Sequence, residues 1–250
     1  MTKVDPLSLK ELGVEGKVVL LFSGGIDSFV GRHYLEKQHA DFTCAYFWLS
    51  TSYTSKEAQA VRMMEPTIKT DYTLAWLGEH EKGSSAFVPY RNLYLAMTAS
   101  IKYAPNVCIC GVLDDKVPDK NEEVFQLWSN HLSRVGNQKV KVFSPFWHMR
   151  KHEVVNWYLE SGGTINEIQG TVSCYSSVSD LYCGHCRSCF RKFIALRANG
   201  INLHFTNEAL ALEYYRATFA GRYDEGRSEV TKAVLEKYFG FTKKDLLEVT

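Results

Sequence analysis

The apolar run at 17–22, KVVLLF, passes directly into Ser23-Gly24-Gly25-Ile26-Asp27-Ser28 and then into a segment of helical composition at 27–38. A short continuous apolar run suits a strand buried on both faces, and hence a parallel sheet covered by helices. Two adjacent glycines after such a strand permit positive φ and close approach of a ligand to the backbone. The free N–H groups at the helix start, the helix dipole and two serine hydroxyls then make an anion site sized for phosphate. Neither the Walker A spacing nor GxGxxG is present, which disfavours a P-loop and a dinucleotide-binding turn.

Further strand-like runs fall at 42–48, 72–77, 107–112 and 139–145, separated by helical segments at 55–66, 91–103, 121–134 and 151–161. Strands alternating with helices at this spacing predict an α/β fold with a doubly wound parallel sheet. Ligands in such sheets sit beyond the carboxyl ends of the strands, where residues 23–25, 111–119 and 144–145 all fall. From 166 to 190 the chain is rich in Cys, Ser and Tyr and reads as irregular. Helices are expected near 187–198, 207–219 and 227–239, with a joint at Gly221–Gly226. The expected division is an α/β domain carrying the phosphate-sized turn at 1–165, a cysteine region at 166–200 and a helical extension at 201–250.

The 250 residues carry 29 Lys+Arg against 28 Asp+Glu, a net charge of +1. With no basic run, little is available for a nucleic-acid backbone. No apolar run approaches the ~18 residues a bilayer span requires. MTKVDPLSLKELG at the start lacks the apolar core of a signal peptide, so no membrane attachment and a cytoplasmic setting are expected.

Four of the seven cysteines crowd into one stretch: Cys174, Cys183, Cys186 and Cys189, spaced C-x8-C-x2-C-x2-C. Successive C-x2-C steps present three thiolates to one ion and the fourth closes a tetrahedron, which favours one structural Zn2+ per chain. An iron–sulfur cluster is the alternative. Arg187, Arg191 and Lys192 are expected to offset the thiolate charge, and His185 is read as a non-ligand. Cys44, Cys108 and Cys110 lie in apolar runs and read as core.

LFSGGIDS resembles the pyrophosphate loop (PP-loop) of the N-type ATP pyrophosphatases, whose members adenylate a carboxylate or carbonyl-type oxygen before a nitrogen or sulfur nucleophile attacks. S-C-Y at 173–175 followed by C-G-x-C-x-x-C at 183–189, F-V-P-Y-R-N at 87–92 and SPFWHMRKHEVVNW at 144–157 sharpen this. Together the four blocks, in order over about 17–200, are similar to the 7-cyano-7-deazaguanine synthases of the queuosine and archaeosine pathways. That resemblance implies an adenine nucleotide alpha-hydrolase-like fold with a C-terminal zinc-binding and helical region. It also implies conversion of 7-carboxy-7-deazaguanine, ATP and ammonia to the nitrile through an adenylated carboxylate and an amide, by a homodimer.

Carried over by residue, the resemblance implies that Leu21, Phe22, Ser23, Gly24, Gly25, Ile26, Asp27 and Ser28 bind ATP. Ser23, Asp27, Arg91 and Lys151 are the implied catalytic residues, with Mg2+ bridging phosphates. Arg91, Asn92, Asp114, Asp115 and Asp119 are the implied substrate contacts, one aspartate reading the amidine edge of the base. The chain departs from the family at 112–123, VLDDKVPDKNEE, and at 47–57, FWLSTSYTSKE, where Tyr53 and Glu57 are candidate substitutes. In the family both regions shape the nucleobase pocket. Two alternatives therefore stand: a related ligase that stops at the amide or joins the acid to another amine, and a tRNA-modifying pyrophosphatase.

Overall fold

The computed structural model describes residues 4–82, 87–115, 117–176, 181–219 and 225–247. Lys116 and the first four residues of the expected joint at 221–226 lie outside these ranges.

The chain opens with β1 (Val18–Leu21), α1 (Ile26–Lys37), β2 (Phe42–Phe47), α2 (Thr54–Met64) and β3 (Thr70–Asp71). A 3-10 helix (Ala75–His80), α3 (Arg91–Lys102), β4 (Asn106–Cys108), α4 (Glu122–Gly136), β5 (Lys141–Phe143) and α5 (Lys151–Glu160) complete the α/β part. All strand pairs are parallel and the sheet order is β3-β2-β1-β4-β5. The chain thus moves outward from β1 on one side, then returns to build β4 and β5 on the other. That reversal places a topological switch point between β1 and β4, where the turn at 23–28 emerges.

Period-two alternation divides the core as the pleat requires. Val18 and Leu20 pack with Val30, Tyr34, Val154 and Tyr158 of α1 and α5. Val19, on the opposite face, packs with Ala96 and Ala99 of α3 and Phe125 and Leu132 of α4. Helices on both faces are what leave β1 free of polar residues.

The expected strand at 72–77 is not one. The strand ends at Asp71, because its Oδ1 accepts from the Thr73 N–H at 2.9 Å and hydroxyl at 2.6 Å. An Asp bonding two residues ahead offers the backbone a turn in place of the ladder. Tyr103 and Lys102 hold the other oxygen at 2.6 and 2.5 Å. The apolar residues that follow then bury at three-residue spacing, Leu74 and Leu77 inside and Trp76 42% exposed, as a 3-10 helix demands.

Beyond α5 lie α6 (Ile165–Gly170), α7 (Arg187–Ala198), α8 (Glu208–Phe219), α9 (Glu225–Phe239) and α10 (Lys243–Leu247). Helix α6 interrupts the stretch expected to be irregular, and α10 lies beyond the expected helices. A capping box, Thr164 with Glu167, starts the first, and Thr242 and Asp245 exchange the same bonds before the second. Helix α7 joins two cores: Ala195 and Leu196 belong to the sheet side, Phe190, Phe193 and Ile194 to a third cluster with Tyr215, Val234, Leu235 and Leu246.

Because Leu235 is 0% exposed in that cluster, Leu235→Ala should cost about 2–5 kcal/mol of stability. Chemical denaturation checks this, and an unchanged midpoint would mean that the last helices add nothing to the fold.

Candidate functional site

The switch point opens into a cleft of about 240 Å3, lined by the turn at 23–28 and by side chains from α2, α3, α5, α7 and the segment after β4. The turn is shaped by backbone constraints. Gly24 has φ +73°, and a Cβ there would lie 2.9 Å from the Ala60 Cβ. Its carbonyl accepts from the Val172 N–H at 2.8 Å, tying the turn to the approach to the cysteines. The Ser23 N–H donates to Ser28 Oγ at 3.2 Å, and the Ser28 hydroxyl donates to the Gly25 carbonyl at 3.1 Å. Gly25 caps α1 without a side chain, so no side chain occupies the N–H groups of its first turn.

Four cationic side chains line the cleft with this turn, while a fifth, Lys192, turns its Nζ to the Gln169 and Thr171 carbonyls instead. Lys151, at the start of α5, donates to both carboxylate oxygens of Asp27 at 2.6 and 2.7 Å. Arg191 of α7 and Lys120 hold Asp115 from two sides at 2.8 and 2.9 Å. Arg91, the first residue of α3, donates to the Tyr53 hydroxyl at 2.7 Å. Burial opposes ionisation of Asp115, yet Lys120 and Arg191 hold its carboxyl well below the usual carboxylate range. Burial lowers Lys151 in spite of Asp27, with Arg191 adding repulsion. Glu57 is the third acid lining the cleft; burial pushes it up to about 7, with Arg91 opposing. Arg91, Lys120, Lys151 and Arg191 outnumber Asp27, Asp115 and Glu57 in the lining and leave the cleft positive, as a polyphosphate requires.

The structure brings together Leu21, Phe22, Ser23, Gly25, Ile26, Asp27, Ser28, Arg91, Asn92, Asp115 and Lys151 in the cleft lining. Two expected substrate contacts stand elsewhere. Asp114 is 8% exposed and lines a smaller pocket beside α5 and α9, its Oδ2 accepting from the Lys151 N–H at 3.1 Å. Its Oδ1 faces Arg150 at 3.5 Å. Asp119 accepts from the Asn92 amide at 3.1 Å and so fastens the loop after β4 to α3. Tyr53 and Glu57 both line the cleft, joined by residues that the sequence reading did not assign to it, among them Lys120, Tyr175 and Arg191. For Arg191 a signal existed. Two helical residues span about 200°, so it lies opposite Cys189 and cannot serve the sulfurs.

The four sulfurs of Cys174, Cys183, Cys186 and Cys189 lie within 4.8 Å of one another, a set able to hold a metal ion. Cys183 and Cys189 are 3.8 Å apart. A tetrahedron with metal–sulfur bonds of about 2.3 Å has sulfurs about 3.8 Å apart, so the cradle fits. Gly184, at φ +70°, makes the turn between the first two of the trio. The Cys186 and Cys189 N–H groups point at the preceding sulfurs at 3.3 and 3.4 Å. The nearest compensating cation is one the sequence reading missed, Lys56, whose Nζ lies 3.4 Å from Cys174 Sγ. Arg187 instead stacks over the Tyr214 ring at 5.5 Å. His185 bonds the Cys183 carbonyl at 2.8 Å, away from the sulfurs.

An uncapped helix start, a ring of cations and a four-thiolate cradle define an α/β protein built around an anion cleft and a cysteine set able to hold a metal ion. The family model of the "Queuosine biosynthesis protein QueC" matches residues 76–200, half of the chain. The chain belongs to that family. The matched segment holds Arg91, Asn92, Lys151 and all four cysteines; the turn at 23–28 lies outside it.

Curated relatives agree. A "7-cyano-7-deazaguanine synthase 2" of Sulfurisphaera tokodaii is 26% identical, covering 81% of this chain and 53% of the relative. A "7-cyano-7-deazaguanine synthase" of Sulfolobus acidocaldarius is 26% identical, covering 80% and 53%. One from Nitratiruptor sp. is 26% identical, covering 69% of this chain and 90% of the relative. The chain thus spans about half the length of the Sulfurisphaera and Sulfolobus relatives. Among the described residues no helix is long and apolar enough to cross a membrane.

Elemental analysis should find one metal ion per chain. Cys186→Ser should lower both metal content and melting temperature, since a ligand set of this kind contributes folding energy. Full metal content in the variant would exclude these sulfurs as the site.

Proposed function

We propose that this chain adenylates the carboxylate of 7-carboxy-7-deazaguanine with ATP and passes the activated carbon to ammonia, giving the amide and then the nitrile. The single observation that carries this is the convergence of an uncapped helix start and four cations on one cleft at the switch point.

In this reading the N–H groups of residues 23–28 and the two serine hydroxyls hold the phosphates, Lys151 faces them from α5, and Arg91 faces the acceptor from α3. A carboxylate oxygen attacks the α-phosphorus and pyrophosphate leaves, its added charge met by Lys151 and its neighbours. Ammonia then attacks the acyl carbon and AMP departs with the oxygen. The nitrile carries neither carboxylate oxygen, and water cannot leave unaided at neutral pH. The second oxygen therefore departs the same way, using a second ATP. Asp27 would assist the Mg2+ that accompanies ATP, an ion that neutralises phosphate charge. The cysteine cradle would hold Zn2+, with all four positions taken by protein and hence a structural role.

Residues 1–165, 166–200 and 201–250 are proposed as nucleotide-binding, zinc-binding and helical parts of one working unit. A cytoplasmic homodimer belongs to the same proposal. The loop at 112–123 departs from the family pattern, which keeps a second reading in play, a ligase that stops at the amide or joins the acid to another amine.

Incubation with ATP, 7-carboxy-7-deazaguanine and ammonium should yield AMP, pyrophosphate and a product of nitrile mass. An amide mass would favour the second reading, and no AMP would end both. Ser23→Ala should reduce pyrophosphate release by about 100-fold or more while the melting curve stays in place. Its hydroxyl contacts only Ser28 Oγ, at 3.3 Å, among the described residues.

A further inference from the structure

Three carboxylates line the cleft, and two of them are engaged: Asp27 by Lys151, Asp115 by Arg191 and Lys120. Glu57 differs. Among the described residues no hydrogen bond or ion pair is made by its carboxylate, although it lines the cleft and interacts electrostatically with Arg91. It stands one helical turn after Tyr53, so the two share a face of α2. The Tyr53 ring meets that of Tyr175 with centroids 4.7 Å apart, and its hydroxyl accepts from Arg91. This part of the cleft therefore offers an open acid, a guanidinium and two aromatic rings. Lys120, Lys151 and Arg191 gather instead around Asp27 and Asp115.

Resting on the function proposed above, we infer that Glu57 determines specificity by accepting the amidine edge of the deazaguanine, with Arg91 donating to the adjacent ring carbonyl. A 2-amino-oxopyrimidine presents two N–H donors and then a carbonyl along one edge. A carboxylate takes both donors in a bidentate pair, and a neighbouring guanidinium serves the carbonyl. The acid substituent, on the five-membered ring, is then free to face the phosphate turn. An adenine-type edge would set a ring-nitrogen lone pair against the carboxylate and be rejected. Asp114, Asp115 and Asp119 are poorly placed for this role, each carboxylate already holding protein donors.

Protonation makes the inference testable without a variant. Burial holds Glu57 near 7, and the groups around it are Arg91, Tyr53, Tyr46 and Tyr175. Only the ionised form accepts two donors. Affinity for the base should therefore rise as pH increases through about 7 and fall below it.

Calorimetric titration of 7-carboxy-7-deazaguanine into the full chain, and separately of ATP, tests this. Glu57→Gln should weaken the base by about 10–150-fold and leave ATP affinity and melting temperature in place. It should also flatten the pH dependence between about 6 and 8. Equal affinity of wild type and Glu57→Gln, or a flat wild-type profile, would overturn the inference and leave the proposed function standing. No binding of the base by the wild type would overturn both.

Discussion

The ion pair between Lys151 and Asp27 is the contact on which the cleft depends. It joins the first turn of α1 to the start of α5 at 2.6 and 2.7 Å, over the carboxyl ends of β1 and β4. Both partners are largely removed from water, where a charge without its counter-charge is expensive. Neither can turn away unless another charge replaces its partner. A triphosphate is such a replacement for Lys151, and a divalent cation is one for Asp27. The cleft is thus held ready by charges that its ligands would take over.

Around this pair the architecture divides the labour. The helix start at 26–28 offers dipole and N–H groups, which need no side-chain charge. The wall formed by α7 and the loop after β4 holds Arg191, Lys120 and Asp115 as a rigid triad. The cysteine cradle lies on that wall, because Cys186 caps α7 and Arg191 sits farther along the same helix. Cysteine cradle and cleft are therefore joined through α7, with Val172 bonded to Gly24 as the second tie.

Much of this was legible in the sequence for a local reason. KVVLLF-SGGIDS carries its strand, its turn and its open helix start within a dozen residues, and the cysteine spacing carries the cradle. What was not legible depends on contacts distant in sequence. The strand expected at 72–77 is cut short by Asp71, whose partners include Lys102 and Tyr103. Asp114 carries the same charge as Asp115, but which of them faces the cleft follows from where α5 begins. Lys56 reaches Cys174 across 118 positions of chain. Other features were written locally and passed over. Thr164 with Glu167 and Thr242 with Asp245 are capping signals, and the helical angle between Cys189 and Arg191 turns that arginine toward the cleft.

The proposed chemistry would break ATP between its α- and β-phosphates by attack of a substrate oxygen. Turnover of 7-carboxy-7-deazaguanine labelled with 18O in its carboxylate tests this directly, by mass spectrometry of the nucleotide and phosphate products. The account predicts 18O in the phosphate of AMP and none in pyrophosphate. Label in orthophosphate with ADP as the nucleotide product, or unlabelled AMP, would contradict it.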